Sequence, residues 1–83
     1  MKLSKRRIAR LANRARHWRA SVAALLTEAG VVSHDVPDGR WSEQKLLAQR
    51  GDEPRDAYEH GDSAGDYARF LQQEYRLFGP GGE

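Results

Sequence analysis

Apolar side chains recur every three or four residues through the first third of this 83-residue chain. The spacing is typical of one continuous amphipathic helix, and neither glycine nor proline interrupts it between Ser4 and Ala29. Gly30 then supplies the residue type that commonly ends a helix. The apolar positions are Ile8, Leu11, Ala15, Trp18, Val22, Leu25 and Ala29.

The length of this helix limits how the chain can fold. At about 1.5 Å per residue it measures roughly 39 Å, whereas a compact domain of this size is only about 30 Å across. The helix therefore outruns the body it packs against. We expect residues 1–7, which include Lys2, Lys5, Arg6 and Arg7, to project as a basic arm.

Three shorter helical segments follow a connector at residues 30–41, which we interpret as a loop. Each segment has a capping serine or an early proline at its start, and glycine near its end. The segments run from Ser42 to Gly51, from Glu53 or Pro54 to His60, and from Ser63 to Gly79. The middle segment is short and polar, so the sequence leaves open whether residues 53–60 form a helix. Trp41 and Leu46 have the spacing of a hydrophobic staple and are predicted to close one end of the core.

The last helix is predicted to be capped by Ser63 and Asp66 in a capping box, and to carry an aromatic face. The residues of that face are Tyr67, Phe70, Leu71, Tyr75, Leu77 and Phe78. The sequence thus predicts a single all-α domain over 1–83, with three or four helices. Its long N-terminal helix packs against the aromatic C-terminal one. Residues 79–83 are predicted to form a disordered tail.

Two charged residues lie within apolar faces of these helices. Arg19 falls among the apolar positions of the first helix, and Glu74 among those of the last. Because a lone buried charge is costly whereas a paired one can persist, we predict an ion pair between Arg19 and Glu74. The alternative is that both side chains extend to solvent at the edge of the interface.

Several classes of function are excluded by composition and spacing. With no cysteine and no clustered histidines, the chain offers no disulfide, no thiol chemistry and no predicted metal or cofactor site. Residues 61–65 match the G-x-S-x-G pattern of the hydrolase nucleophile elbow, but no histidine follows Ser63 and no strand precedes it. We therefore expect no enzyme activity. No apolar run is long enough to span a membrane, and the lack of cysteine fits a reducing, cytoplasmic setting.

Charge is distributed unevenly along the chain. Eight of the fourteen lysines and arginines precede Glu28, and no acid lies among them. The remaining six share the rest of the chain with all twelve acids. The strongest concentration is a stripe on one face of the first helix, opposite the apolar positions. Its residues are Arg6, Arg10, Arg14 and His17, with Arg7 and Asn13 beside them. The excess of arginine over lysine is typical of GC-rich bacterial or phage genomes.

An exposed arginine-rich helix favours two functions over the alternatives of a membrane-surface helix and a solvated face that binds nothing. The first is binding of a larger protein with an acidic groove, which would make the chain a small regulator, inhibitor or accessory subunit. Homodimer formation is a variant, in which one copy packs against the acidic body of another. The second is nucleic-acid binding, in which the same arginines contact the phosphates of DNA or RNA.

Overall fold

The computed structural model describes residues 4–78, and these form four α-helices, with a long connector between the first two and short turns between the others. The helices are α1 (Lys5–Glu28), α2 (Glu43–Arg50), α3 (Glu53–Glu59) and α4 (Ala64–Phe78). The predicted all-α class is confirmed, and the short segment after Gly51 is helical. The predicted tail at 79–83 and the first three residues of the predicted arm lie outside the described residues.

Three of the helices begin at a serine whose hydroxyl accepts a hydrogen bond from the backbone N–H three residues later. The pairs are Ser4 with Arg7 at 3.2 Å, Ser42 with Lys45 at 3.2 Å, and Ser63 with Asp66 at 3.1 Å. Within residues 4–78, the return bond that would complete a capping box from Asp66 is not formed. Gly30 follows α1 with φ of +70°, a conformation that favours glycine. These local bonds set the helix bounds that the sequence predicts.

The core lies between the second half of α1, the first half of α4, and α2. Val22 and Leu26 of α1, Leu46 of α2 and Leu71 of α4 are completely buried. The predicted packing of the first helix against the last is therefore confirmed. The connector between α1 and α2 also contributes, since Val36 is completely buried.

Trp41 closes the end of the core where α1 finishes. Its indole Nε1 donates a hydrogen bond to the carbonyl oxygen of Val31 at 2.9 Å, and its ring lies 5.3 Å from that of Tyr75. Its backbone N–H donates to the hydroxyl of Thr27, which itself donates to the carbonyl of Ala23. These bonds hold the connector against the last turn of α1.

The apolar faces predicted from the helix periodicity are only partly buried. On α1, Ile8 is 52% exposed and Leu11 is 44% exposed, whereas Val22 lies in the core. On α4, Tyr67 is buried but Phe70 is 51% exposed. Periodicity identifies the side of a helix that is apolar, but burial also needs a neighbouring element at that height, and here the neighbours are shorter than α1. The side chains of 77–78 lie outside the described part of the chain.

The ion pair predicted between Arg19 and Glu74 is not formed. The guanidinium of Arg19 instead lies 3.4 Å from the carboxylate of Glu43, in the first turn of α2. Glu74 pairs with Arg50, which lies in the last turn of α2. Because α2 supplies an opposite charge at each of its ends, both intruding charges are neutralised there and neither needs the other.

Arg50 is the centre of a polar cluster that joins α2, α3 and α4. Its Nε donates to Glu53 Oε1 at 3.1 Å, its Nη2 pairs with Glu74, and its guanidinium lies 5.3 Å from the ring centroid of Tyr75. The hydroxyl of Tyr67 donates to the same Glu53 oxygen at 2.6 Å. Burial opposes the charge of Arg50, yet its anionic neighbours raise its pKa above the ordinary value. This cluster fixes α2, α3 and α4 relative to one another.

Replacing Leu26 by alanine tests the position of the core. Leu26 is completely buried, so we expect its truncation to lower the free energy of unfolding by about 2–5 kcal/mol in urea denaturation. The matched control is Leu11→Ala on the same helix, for which we expect a change of less than about 1 kcal/mol. Equal losses at the two positions would contradict this division of α1.

A double-mutant cycle tests the pairing of Glu74. Combining Arg50→Met with Glu74→Gln is expected to reveal a coupling of about 0.5–1 kcal/mol, because the two side chains are in contact and Glu74 is partly solvated. The control cycle, Arg19→Met with Glu74→Gln, is expected to be additive. Coupling found in the second cycle and not the first would restore the pair that the sequence predicts.

Candidate functional site

The helix α1 is covered by the rest of the chain over only part of its length. Every residue from Lys5 to Arg14 is exposed, Ala15 is half-buried, and Arg16 and His17 are exposed. The described residues span 48 × 21 × 19 Å, an elongated shape for a chain of this size. We call residues 5–17 the exposed half of α1.

The covered half of α1 begins at Trp18. The Trp18 ring stacks on Tyr67 and meets Tyr58 edge-on, with ring centroids 5.5 Å apart in both pairs. Its indole Nε1 donates to the backbone carbonyl of Asp62 at 3.0 Å. Because α4 begins at Ala64, just after Asp62, no part of α4 lies beside the residues of α1 that precede this contact.

The basic side of the exposed half carries all the predicted binding residues. Each of them is exposed, and within residues 4–78 none takes part in a salt bridge. They are Arg6, Arg10, Arg14 and His17 in the stripe, with Arg7 and Asn13 beside it. Their donors are therefore open to an external acceptor.

The apolar side of the exposed half continues the face that α1 buries in the core. Eighteen residues separate Ile8 from Leu26, which is about five turns, so the two side chains leave the helix in the same direction. Leu11 lies within about 20° of Val22 by the same reckoning. The face that packs on α4 at Leu26 thus meets solvent at Ile8 and Leu11.

The basic and apolar sides of the exposed half meet along one edge. At 100° per residue, Arg7 lies about 40° from Leu11 and Arg14 about 60° from it, whereas Arg6 and Arg10 lie on the far side. On the other flank of the apolar face, Arg16 follows Ala15. A surface that covers Ile8 and Leu11 would therefore have cations at both of its edges.

A second surface that the sequence did not predict lies between α3 and α4. It is an open groove of about 440 Å³, lined on its apolar side by Tyr67 and Phe70, whose rings stack with centroids 6.2 Å apart. Its acidic lining includes Asp56, Asp62 and Asp66, all exposed, and within residues 4–78 none of these three forms a salt bridge. We call it the α3–α4 groove. In the sequence these acids fit the N-terminal turns of solvated helices, and only the packing of α3 on α4 brings them beside Phe70.

The residues that suggested hydrolytic or metal chemistry have structural roles or lie apart. The hydroxyl of Ser63 caps α4, as the sequence predicts, and a helix precedes it in place of the strand of a nucleophile elbow. Among residues 4–78, no three histidine, aspartate or glutamate side chains are grouped closely enough to hold a metal ion. No helix in this part of the chain has the length and apolar character needed to cross a membrane.

The tyrosines beside Arg50 are held in their neutral form. Burial raises the pKa of Tyr67 above its ordinary value of about 10, and the hydrogen bond to Glu53 adds to the effect. Burial likewise raises the pKa of Tyr75, although the charge of Arg50 opposes this. Tyr67 thus stays a neutral donor in the groove.

These shifts predict a loss of stability at alkaline pH. The unfolded chain ionises Tyr67 near pH 10 while the folded chain keeps its proton, so stability is complete below about pH 10 and falls as pH rises beyond it. We expect urea denaturation to show a smaller fall between about pH 9 and 11 in Tyr67→Phe than in the unmodified chain. An identical fall in the two proteins would contradict the pKa shift of Tyr67.

Comparisons with protein-family models, with curated proteins and with solved structures found no match to this chain, so the proposals about its function rest on its own residues and their arrangement.

Proposed function

We propose that this chain is a small non-catalytic interaction protein, a regulator, inhibitor or accessory subunit, that binds another protein through the exposed half of α1. The observation that carries the proposal is the solvent exposure of Ile8 and Leu11 on the same side of α1 that forms the core. The core does not require these two large apolar side chains, because they lie in the first turns of α1 and the core begins further along the helix. They are explained if a partner covers them.

The spacing of the apolar residues suits docking of a helix into a groove. Ile8, Leu11 and Ala15 stand at i, i+3 and i+7, the pattern by which amphipathic helices fill apolar grooves. Complete burial of an isoleucine or leucine contributes about 1.5–3 kcal/mol, so covering these half-exposed side chains contributes about 1 kcal/mol each. The remaining affinity has to come from the surrounding contacts.

The cations bordering the apolar face determine which partner fits. Arg7 and Arg14 flank Leu11 on one edge and Arg16 lies on the other, so a partner groove with an apolar centre and acidic edges would match both properties. Charge complementarity of this kind speeds association and suppresses wrong partners. The proposed partner is therefore a protein with an acidic groove.

Nucleic-acid binding is the second candidate, and the free arginine stripe favours it. Arg6, Arg10 and Arg14 follow one another at i, i+4 and i+8, so adjacent members stand about 5–6 Å apart at their Cβ atoms and could contact successive phosphates. In that arrangement Ile8 and Leu11 would point away from the ligand and stay exposed. The acids of the body would also repel a polyanion.

Two pairs of substitutions distinguish these functions. Ile8→Ser/Leu11→Ser removes the apolar face and leaves the stripe, whereas Arg6→Ala/Arg10→Ala removes part of the stripe and leaves the apolar face. For protein binding, we expect capture of a partner by the immobilised chain to be lost in the first variant and largely retained in the second, because Arg6 and Arg10 lie on the far side of α1 from Ile8 and Leu11. We also expect labelled DNA and RNA to show no binding in fluorescence anisotropy at about 50 mM salt.

The opposite pattern would favour nucleic acid. Binding of labelled DNA or RNA that weakens steeply between about 50 and 200 mM salt, is lost in Arg6→Ala/Arg10→Ala and persists in Ile8→Ser/Leu11→Ser would overturn the protein-binding proposal. Circular dichroism of each variant controls for retention of the helical fold.

A further inference from the structure

We propose, building on the function proposed above, that the partner of the exposed half of α1 is a second copy of this chain, whose α3–α4 groove receives Ile8 and Leu11. The groove combines the apolar surface and the negative charge that the proposed partner needs. Its apolar side includes Phe70, which is 51% exposed, and its negative charge comes from Asp56, Asp62 and Asp66.

The exposed half of α1 cannot occupy the groove of its own chain. The helix runs without interruption from Lys5 to Glu28, and no glycine or proline lies within it to allow a sharp bend. Its exposed half therefore points away from the body. Covering Ile8 and Leu11 with the α3–α4 groove requires a groove from another molecule.

The two surfaces are complementary in charge. Within the exposed half there are six cations and no acid, namely Lys5, Arg6, Arg7, Arg10, Arg14 and Arg16. Three acids of the groove, Asp56, Asp62 and Asp66, have no salt-bridge partner among residues 4–78, so they are available to cations from another molecule. The exposed half thus carries cations without acids, and the groove carries acids that no cation within residues 4–78 pairs with.

The position of the groove allows two copies to exchange these contacts symmetrically. Tyr67 and Asp62, which line the groove, also contact Trp18, where the exposed half of α1 begins. Groove and helix therefore lie at the same end of the molecule. From Trp18 to Lys5 the helix extends about 20 Å, enough to cross the facing end of a second copy. A two-fold axis between two such ends would place each helix on the groove of the other. Both helices and both grooves would then be occupied, so the assembly would close as a dimer.

The proposed dimer uses only one side of the exposed half. With Ile8 and Leu11 against the groove, Arg7 and Arg16 flank the contact and can meet Asp56 and Asp62 of the other copy. Arg6 and Arg10 point away from it. The cations thus divide into a set at the contact and a set facing solvent, and this division can be tested.

The first experiment is sedimentation equilibrium of the full chain from about 1 to 200 μM, the range in which interfaces of modest size associate. We expect the mass to rise from that of the 9.4 kDa chain to twice that value. We expect Ile8→Ser/Leu11→Ser, and separately Phe70→Ser, to weaken association at least about tenfold. A constant monomer mass for the unmodified chain would overturn the proposal.

A charge exchange tests which residues meet. One variant carries Arg7→Glu/Arg16→Glu, so its helix and its groove are both negative at the contact. The other carries Asp56→Lys/Asp62→Lys, so its helix and groove are both positive. We expect each variant alone to be monomeric, and an equimolar mixture to form a heterodimer, because both crossed contacts then pair opposite charges.

The matched control is Arg6→Glu/Arg10→Glu, which makes the same change in net charge on the side facing away. We expect it to retain most of the association of the unmodified chain. If it abolishes association as fully as Arg7→Glu/Arg16→Glu, or if the mixed variants stay monomeric, the contacts proposed here are incorrect.

These results separate the dimer from the function on which it rests. A chain that is monomeric throughout but captures another protein in a manner lost in Ile8→Ser/Leu11→Ser would overturn the dimer and leave the proposed function in place. If Ile8→Ser/Leu11→Ser keeps both self-association and capture, the dimer and the proposed function are both overturned.

Discussion

The contacts of Arg50 determine how the three shorter helices are arranged. This side chain ends α2, pairs with Glu53 at the start of α3 and with Glu74 in α4, and packs over the ring of Tyr75. Glu53 in turn accepts a hydrogen bond from Tyr67, in the second turn of α4. Because the Arg50 side chain is only 15% exposed, these partners stabilise its charge, and the cluster favours one arrangement of α2, α3 and α4.

That arrangement decides how much of α1 is covered. The turn between α3 and α4 carries Asp62, whose carbonyl receives the indole N–H of Trp18, and the body ends at this contact. One helix consequently has two roles that its sequence does not separate. Its second half forms the core through Val22 and Leu26, and its first half presents Ile8 and Leu11 to solvent on the same side. The exposed apolar face is thus a consequence of a long helix packed on short ones.

The same packing creates the acidic groove. Asp56 stands on α3, Asp66 on α4 and Asp62 between the two helices, and each is explained in the sequence as an acid in or just before the first turn of a helix, where the helix dipole favours it. Beside Phe70 they form a surface that differs from the exposed half of α1 in charge and resembles it in apolar character. Both surfaces lie at one end of the molecule, and the proposed dimer depends on this placement.

Local signals in the sequence determined the secondary structure of this protein. Serine caps, glycines after helices and an uninterrupted apolar period depend on residues within about four positions of one another, so they can be read without knowing the fold. Tertiary structure alone decided what each face meets. Periodicity placed Arg19 and Glu74 on apolar faces but could not show that α2 supplies an opposite charge to each of them. It marked Phe70 and Ile8 as apolar without showing that about half of each side chain stays exposed. Direction around a helix is a local property, whereas the neighbour in that direction depends on the relative lengths and positions of all four helices.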